Sequence, residues 1–292
     1  MCAVAVVAAG LVIGVAPAGA APAPCDGWQI DTLAHGLEQL ENLEPDGRGG
    51  FYLSGDSKVY RIDADGAVHT IADHLAAPGG LQRDGSILHF LTRTDGKLWR
   101  LDTTTGALTS PATPTGNALL RMPDHDMLTS WVGTEGGPSK GVTRYRHRTG
   151  AIEPNWSTVP RAEGLASSPD HRDVYTDDLF TGQIYRIPVD APDRWSVIAT
   201  LPPLSGPDDL TMSRSGDLYV AAHLAGTIYR VDPGTGAVCA VANGLPIGWG
   251  GPSSVRIAPD GAGQALYVTS FDGTLRRLRP PAGTELEAVT AP

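Results

Sequence analysis

An all-β fold, a six-bladed β-propeller with four-stranded antiparallel blades, is predicted by three observations. The chain repeats itself at a period near 40 residues, which marks a propeller or a solenoid. Its composition, with 36 glycines and 24 prolines among 292 residues and 41% hydrophobic residues, suits many short strands joined by tight turns. No long amphipathic helical pattern interrupts the repeats.

The repeat shows best in an alternating run in which an aliphatic residue is closely followed by arginine: Val59-Tyr60-Arg61, Leu98-Trp99-Arg100, Val142-Thr143-Arg144, Ile184-Tyr185-Arg186, Ile228-Tyr229-Arg230 and Leu275-Arg276-Arg277. The last arginines of these runs are 39, 44, 42, 44 and 47 residues apart. Each copy carries an earlier strand-forming run, such as Phe51-Tyr52-Leu53 or Leu218-Tyr219-Val220. Polar turns such as Asp46-Gly47, Asp84-Gly85, Ser215-Gly216 and Asp260-Gly261 precede these runs, as tight antiparallel connections require. A third run follows, as in residues 67–71 and 237–241, and an apolar segment stands in front, making four strands per unit. The sixth unit is one strand short after Arg279. The segment Trp28-Gln29-Ile30-Asp31-Thr32-Leu33 is predicted to complete it, with Leu286 to Thr290 as the competing candidate.

Residues 1–20 read as a signal peptide and 21–292 as one propeller domain. The first stretch is apolar from Cys2 to Val15 and ends in Ala18-Gly19-Ala20, a small-x-small cleavage pattern, although the basic n-region is missing. A membrane anchor is the competing reading, but the run is shorter than the roughly 20 residues needed to span a bilayer. The protein is therefore expected to be secreted or extracytoplasmic, without stable membrane insertion once cleaved, and to act as a monomer. Cleavage leaves Cys25 and Cys239, a pair that permits one disulfide in an exported protein; two free buried thiols are the alternative. The net charge of -10, spread along the chain, disfavours a nucleic-acid partner, since phosphate binding needs clustered Lys and Arg.

If each innermost strand begins at one mouth of the central channel, the residues just before it converge on the axis. The six units give Glu41, Gly79, Asn117, Glu163, Asp208 and Ser253 at that position. Three carboxylates crowded at a low-dielectric mouth repel unless a cation neutralises them. Oxygen donors without His or Cys suit a hard divalent cation, calcium before magnesium or zinc. Each residue taken alone would serve equally well as a turn residue that caps backbone groups.

The segments GLASSPDHRDVYTDD, PDDLTMSRSGDLYVAAHLAGTIYRVDPGTG and PSSVRIAPDGAGQALYVTSFDG resemble those of the regucalcin/gluconolactonase family, relatives of the paraoxonases and the strictosidine synthase-like proteins. The resemblance covers roughly residues 40–279. It implies a six-bladed propeller with a divalent ion, usually calcium, at its axis, and often lactonase or esterase activity. The family's metal-binding Glu before the first blade matches Glu41 in LENLEPDG, its axial Asp matches Asp208 in Pro207-Asp208-Asp209, and an axial Asn matches Asn117. One departure stands out. Where the family usually has Asn-Gly-Leu, this chain has Glu163-Gly164-Leu165. The added charge would tighten cation binding, change the metal or move a water-activating base; it equally fits a site drifted from the ancestral chemistry.

In a catalytic reading the ion polarises a carbonyl, and Asp208, or secondly Glu163, takes the proton from water. Asp209 then points away from the ligands or sits behind them. The rim candidates are residues 131–140 with Trp131, the loop Asp177-Asp178-Leu179-Phe180, His223, and residues 243–251 with Trp249. An apolar rim over a charged floor suits a lactone or ester with a hydrophobic portion. Trp131 and Phe180 would also serve as packing between blades, and His223 as an ordinary surface-loop histidine. No Gly-x-Ser-x-Gly elbow supports a serine hydrolase. The alternative of another class is a non-catalytic propeller that binds a ligand or protein, with a structural metal or none.

Overall fold

The structure, a computed structural model, describes residues 22–131 and 141–289. Six four-stranded antiparallel sheets, each ordered from the axis outward, follow one another around a central channel. Blade one runs from the innermost strand Asn42–Pro45 to the outermost Val68–Ala72, and blade five from Pro207–Met212 to Val238–Ala242. The cores lie between neighbouring blades: Leu210, Met212 and Val220 of blade five pack with Ala166, Tyr175 and Ile184 of blade four. Period-two alternation explains this, because each sheet has two faces and each face meets a different neighbour. Among the described residues no helix is long and apolar enough to cross a membrane.

The ring closes with the chain's early strand. Gln29–Ala34 is the outermost strand of blade six, paired antiparallel with Thr274–Arg279, with Gln29 opposite Arg279 and Thr32 opposite Arg276. Asp31 reinforces the seam by ion pairs to Arg277 at 3.0 Å and Arg279 at 2.7 Å. The competing segment takes another role. Leu286 is buried against the blade five–six core, and Ala288 bridges Ser213 at the foot of blade five; Thr290 lies outside the described residues. Cys25 is bonded to Cys239 on blade five's outermost strand, with Cα atoms 5.4 Å apart.

The arginine of the repeat has a structural reason. Arg61, Arg186 and Arg230 each reach back to an aspartate in the turn ahead of the second strand, Asp46 at 3.2 Å, Asp173 at 2.8 Å and Asp217 at 2.8 Å. Arg144 with Asp126 and Arg277 with Asp260 repeat the pattern. These turns lie on the face away from the innermost strands' starts, so the recurring ion pair brands one face of the disk.

The disulfide encloses 214 residues of sequence separation, and cross-links of long loops restrict the unfolded chain most. Replacing both cysteines by serine is expected to cost about 2–4 kcal/mol. Denaturant unfolding curves of the variant and of wild type, each with and without reductant, check this: reductant should shift the wild-type midpoint to that of the variant and leave the variant unmoved.

Candidate metal centre

A bulge places Asp208. In blade five Pro207 pairs with Ala222 and Asp209 with Ala221, so Asp208 is the extra residue of the inner strand; an extra residue of this kind is left unpaired and its side chain re-aimed. The same skip falls at Ser253 in blade six. In blades one, three and four a side chain at the end of the second strand holds the equivalent backbone. Ser54 Oγ accepts from Asn42 N–H at 3.0 Å, Ser130 Oγ from Ala118 N–H at 2.9 Å, and Asp177 Oδ1 from Gly164 N–H at 3.0 Å. Sequence reasoning missed Ser54 and Ser130 and placed Asp177 on the rim, whereas Asp177 is fully buried at the end of its strand; the three occupy the same place in FYLS, MLTS and VYTD.

The result is a cluster of three acids. Glu41, Glu163 and Asp208 are all buried, and one carboxylate oxygen from each lies within 4.8 Å of the others. Asn117 joins them by donating its amide Nδ2 to Glu163 Oε1. Burial pushes the carboxyls of Glu163 and Asp208 well above the usual range, and repulsion adds to it, from Asp177 and Glu41 on Glu163 and from Glu41 and Glu163 on Asp208. Glu41 is raised by burial too, against the opposing pull of Arg93.

The other two ring positions, Gly79 and Ser253, do not join them. Ser253 donates its hydroxyl to Leu40 O at 2.7 Å, so its oxygen serves the backbone. Gly79 leaves room for Arg93, whose Cγ lies 3.1 Å from where a Cβ would stand. Arg93 Nη1 is 3.0 Å from Glu41 Oε1, a partner that sequence spacing could not reveal because the two belong to different blades. Asp209 turns from the cluster to Arg256 Nη1 at 2.6 Å and Asn42 Nδ2 at 3.1 Å.

These residues fit a divalent cation. Asn117 Oδ1, Glu163 Oε2 and Asp208 Oδ2 are buried oxygens without a hydrogen-bond partner among the described residues, an arrangement that is costly unless a cation completes it. Arg93 offsets one of the three carboxylate charges, and the two that remain match one divalent ion. All donors are oxygen, as hard ions prefer. The opposite mouth is lined by Arg83, Arg121 and Arg256 together with Glu44.

Above the cluster opens a cavity of about 470 Å³ whose lining includes Trp131, Phe180, His223 and Trp249. Phe180 and Trp249 are exposed, so neither packs between blades. The rest of the predicted rim insertion, residues 132–140, lies outside the described residues. His223 departs from the surface-histidine expectation: it is only 6% exposed. It is stacked with Trp249 and set edge-on to Phe271, with Nδ1 3.9 Å from Asp208 Oδ2. Burial lowers its pKa to about 4, which keeps the imidazole neutral at ordinary pH. What concealed this in the sequence is that Trp249 and Phe271, the groups that cover it, come from two other loops.

Residues 129–272 match the model of the SMP-30/Gluconolactonase/LRE-like region, a span that contains Glu163, Asp208 and His223 but not Glu41 or Asn117. No curated protein matches the sequence. Among solved structures, a gluconolactonase from Xanthomonas campestris is 20% identical, with 91% of this chain and 99% of that chain covered and a TM-score of 0.73. A calcium-binding protein, regucalcin, from Agrobacterium tumefaciens is 17% identical over 94% of this chain and 98% of that chain, with a TM-score of 0.72. Virginiamycin B lyase from Staphylococcus aureus is 13% identical over 87% and 99%, with a TM-score of 0.60. At these identities the shared property is the fold, a six-bladed propeller, to which residues 129–272 add a likeness to the SMP-30/Gluconolactonase/LRE-like region.

Proposed function

We propose that the protein is an exported, divalent-cation-dependent hydrolase of a lactone or ester, with calcium as the ion. The observation that carries this reading is the convergence of Glu41, Glu163 and Asp208 within 4.8 Å on the floor of a cavity walled largely by apolar side chains. The similarity to a gluconolactonase and to a calcium-binding regucalcin supports the chemistry, and the Cys25–Cys239 disulfide supports an oxidising compartment.

Glu41, Asn117, Glu163 and Asp208 would hold the ion. When bound, a divalent ion polarises a carbonyl oxygen and makes water more acidic. Asp208 would take the proton from the attacking water through the carboxylate oxygen not committed to the ion; Glu163 is the second candidate. Water oxygen bonds to the carbonyl carbon, the acyl C–O bond breaks, and the proton held on the carboxylate passes to the departing alkoxide. The products are a carboxylic acid and an alcohol, joined as one hydroxy acid when the substrate is a lactone. His223 and its aromatic neighbours exclude bulk water from one side of the floor.

The test is to assay lactones and aryl esters with and without chelator and to measure bound calcium. Chelation should abolish turnover. Asp208→Ala and Glu41→Ala should each lower kcat/KM by about 100-fold or more. Bound calcium without turnover on any member of the panel would assign the site to ligand binding instead.

Glu163→Asn should weaken calcium affinity by about tenfold while hydrolysis persists at saturating calcium, because affinity follows the number of charged ligands; calcium titration calorimetry checks it.

The raised carboxyls also predict a pH dependence. In the cation-free folded protein Glu41, Glu163 and Asp208 keep protons at pH values where the unfolded chain, titrating near 4, has released them. The folded state then binds more protons, so stability falls as pH rises through this window. The melting temperature of chelated protein should drop as pH rises above about 4, where the unfolded carboxyls release their protons; calcium should remove most of the drop, and Glu163→Gln should shrink it. Differential scanning fluorimetry reads all three.

A further inference from the structure

The cavity above the carboxylates has two unlike sides. Toward blades one to three stand Glu41, Arg93, Gly116 and Asn117 with Trp131 as the one large apolar group, and toward blades four to six, beyond Glu163, Asp208 and His223, stand Leu179, Phe180, Leu204, Leu224, Trp249 and Phe271. Among the described residues this second side also holds the most exposed large hydrophobics. Among the described residues the four most exposed large hydrophobics are Leu204 at 83%, Trp249 at 78%, Ile247 at 69% and Phe180 at 56%. All four stand on loops at this mouth. Outermost-strand residues such as Val68 and Leu108 reach only 42% and 38%. Single exposed hydrophobics are ordinary, but several at one pocket mark a binding surface.

The wall is held in place at a cost in backbone strain. Leu204 has φ of +62°, a conformation rarely adopted by bulky residues, and strain of that kind tends to gather at ligand clamps. Nothing in the core needs this leucine, since it is mostly exposed. Two residues on, Gly206 leaves the space into which Leu224 fits: a Cβ there would lie 2.4 Å from Leu224 Cγ. Trp249 is carried by the short 3-10 turn Gly248–Gly250 and lies over His223 at 6.1 Å and edge-on to Phe271 at 5.8 Å. One of its faces is braced and the rest is open to a ligand.

We infer that this site takes a substrate with an apolar alkyl or aryl group, which lies along Leu204, Leu224, Trp249 and Phe180 while its carboxyl-derived end sits over Glu41, Glu163 and Asp208. A polyhydroxylated sugar lactone is disfavoured. Its hydroxyls on that side would lose water and find carbon, and unpaired polar groups are penalised far more than a missing methylene. Leu204 and Trp249 are thereby specificity-determining residues. The inference rests on the hydrolase reading for the fate of the ligand, not for its binding.

Two readouts separate these. The first is turnover of γ-butyrolactone, γ-hexalactone, γ-octanolactone and γ-decalactone beside gluconolactone. The second is calorimetric binding of butanoate, hexanoate, octanoate and decanoate beside gluconate, with calcium present. Wild type is compared with Leu204→Ser and Trp249→Ser, both exposed positions whose replacement takes nothing from the core. Expected is a gain of roughly fourfold per added methylene in kcat/KM and in affinity, no gain for the sugar acid or its lactone, and a flattened series in both variants. Gluconate binding more tightly than octanoate, a series without chain-length dependence, or a dependence that survives both substitutions would each overturn the inference. Chain-length-dependent binding without turnover of any lactone would leave it standing and remove the hydrolase reading.

Discussion

Everything at the axis depends on one constraint: six innermost strands must start around a channel too narrow to keep their first side chains apart. Where the strand pairs regularly from its first residue, that side chain would join one of the blade-to-blade cores. Where the strand carries one residue more than its partner, as at Asp208 between Pro207 and Asp209, the surplus residue is expelled toward the axis. There it meets Glu41 and Glu163, which stand just ahead of the regularly paired parts of their own inner strands, at a distance that water cannot screen. The fold itself thus creates a deficit of positive charge, part of which Arg93 meets from a loop of blade two.

That constraint also explains what could be read in the sequence and what could not. The blades were legible because their arginine marker is tied to an aspartate of the same blade, so both halves of the interaction recur together, as in Arg186 with Asp173. Blade two is the instructive exception. Its turn residue Asp84 is drawn instead to His125 of blade three, yet the aliphatic-arginine run survives around Arg100. The closing strand was legible from its composition and from the gap left after Arg279. Glu41, Asn117, Glu163 and Asp208 could be picked out because each occupies the same place in its own repeat. The burial of His223, the reach of Arg93 across Gly79 and the diversion of Ser253 to Leu40 O could not. Each depends on a contact between blades, and a repeat describes what a blade shares with its neighbours rather than how it meets them.

The fold does not select the chemistry. A gluconolactonase and a virginiamycin B lyase both overlay on this chain at low identity, as expected where function lies in the site rather than the scaffold. On its axis this molecule combines a fourth-blade glutamate in the carboxylate cluster, an arginine beside Glu41, and a neutral histidine clasped by Trp249 and Phe271. The first two adjust charge in opposite directions. The third shapes the wall.

The pairing of Gln29–Ala34 with Thr274–Arg279 has a consequence in time as well as space. The first strand of the disk to leave the ribosome has no partner until the last one exists, so it must wait, extended and uncommitted, while five blades are made. The seam that makes the ring rigid is therefore also a timer, since the sixth blade cannot form until the chain is nearly complete.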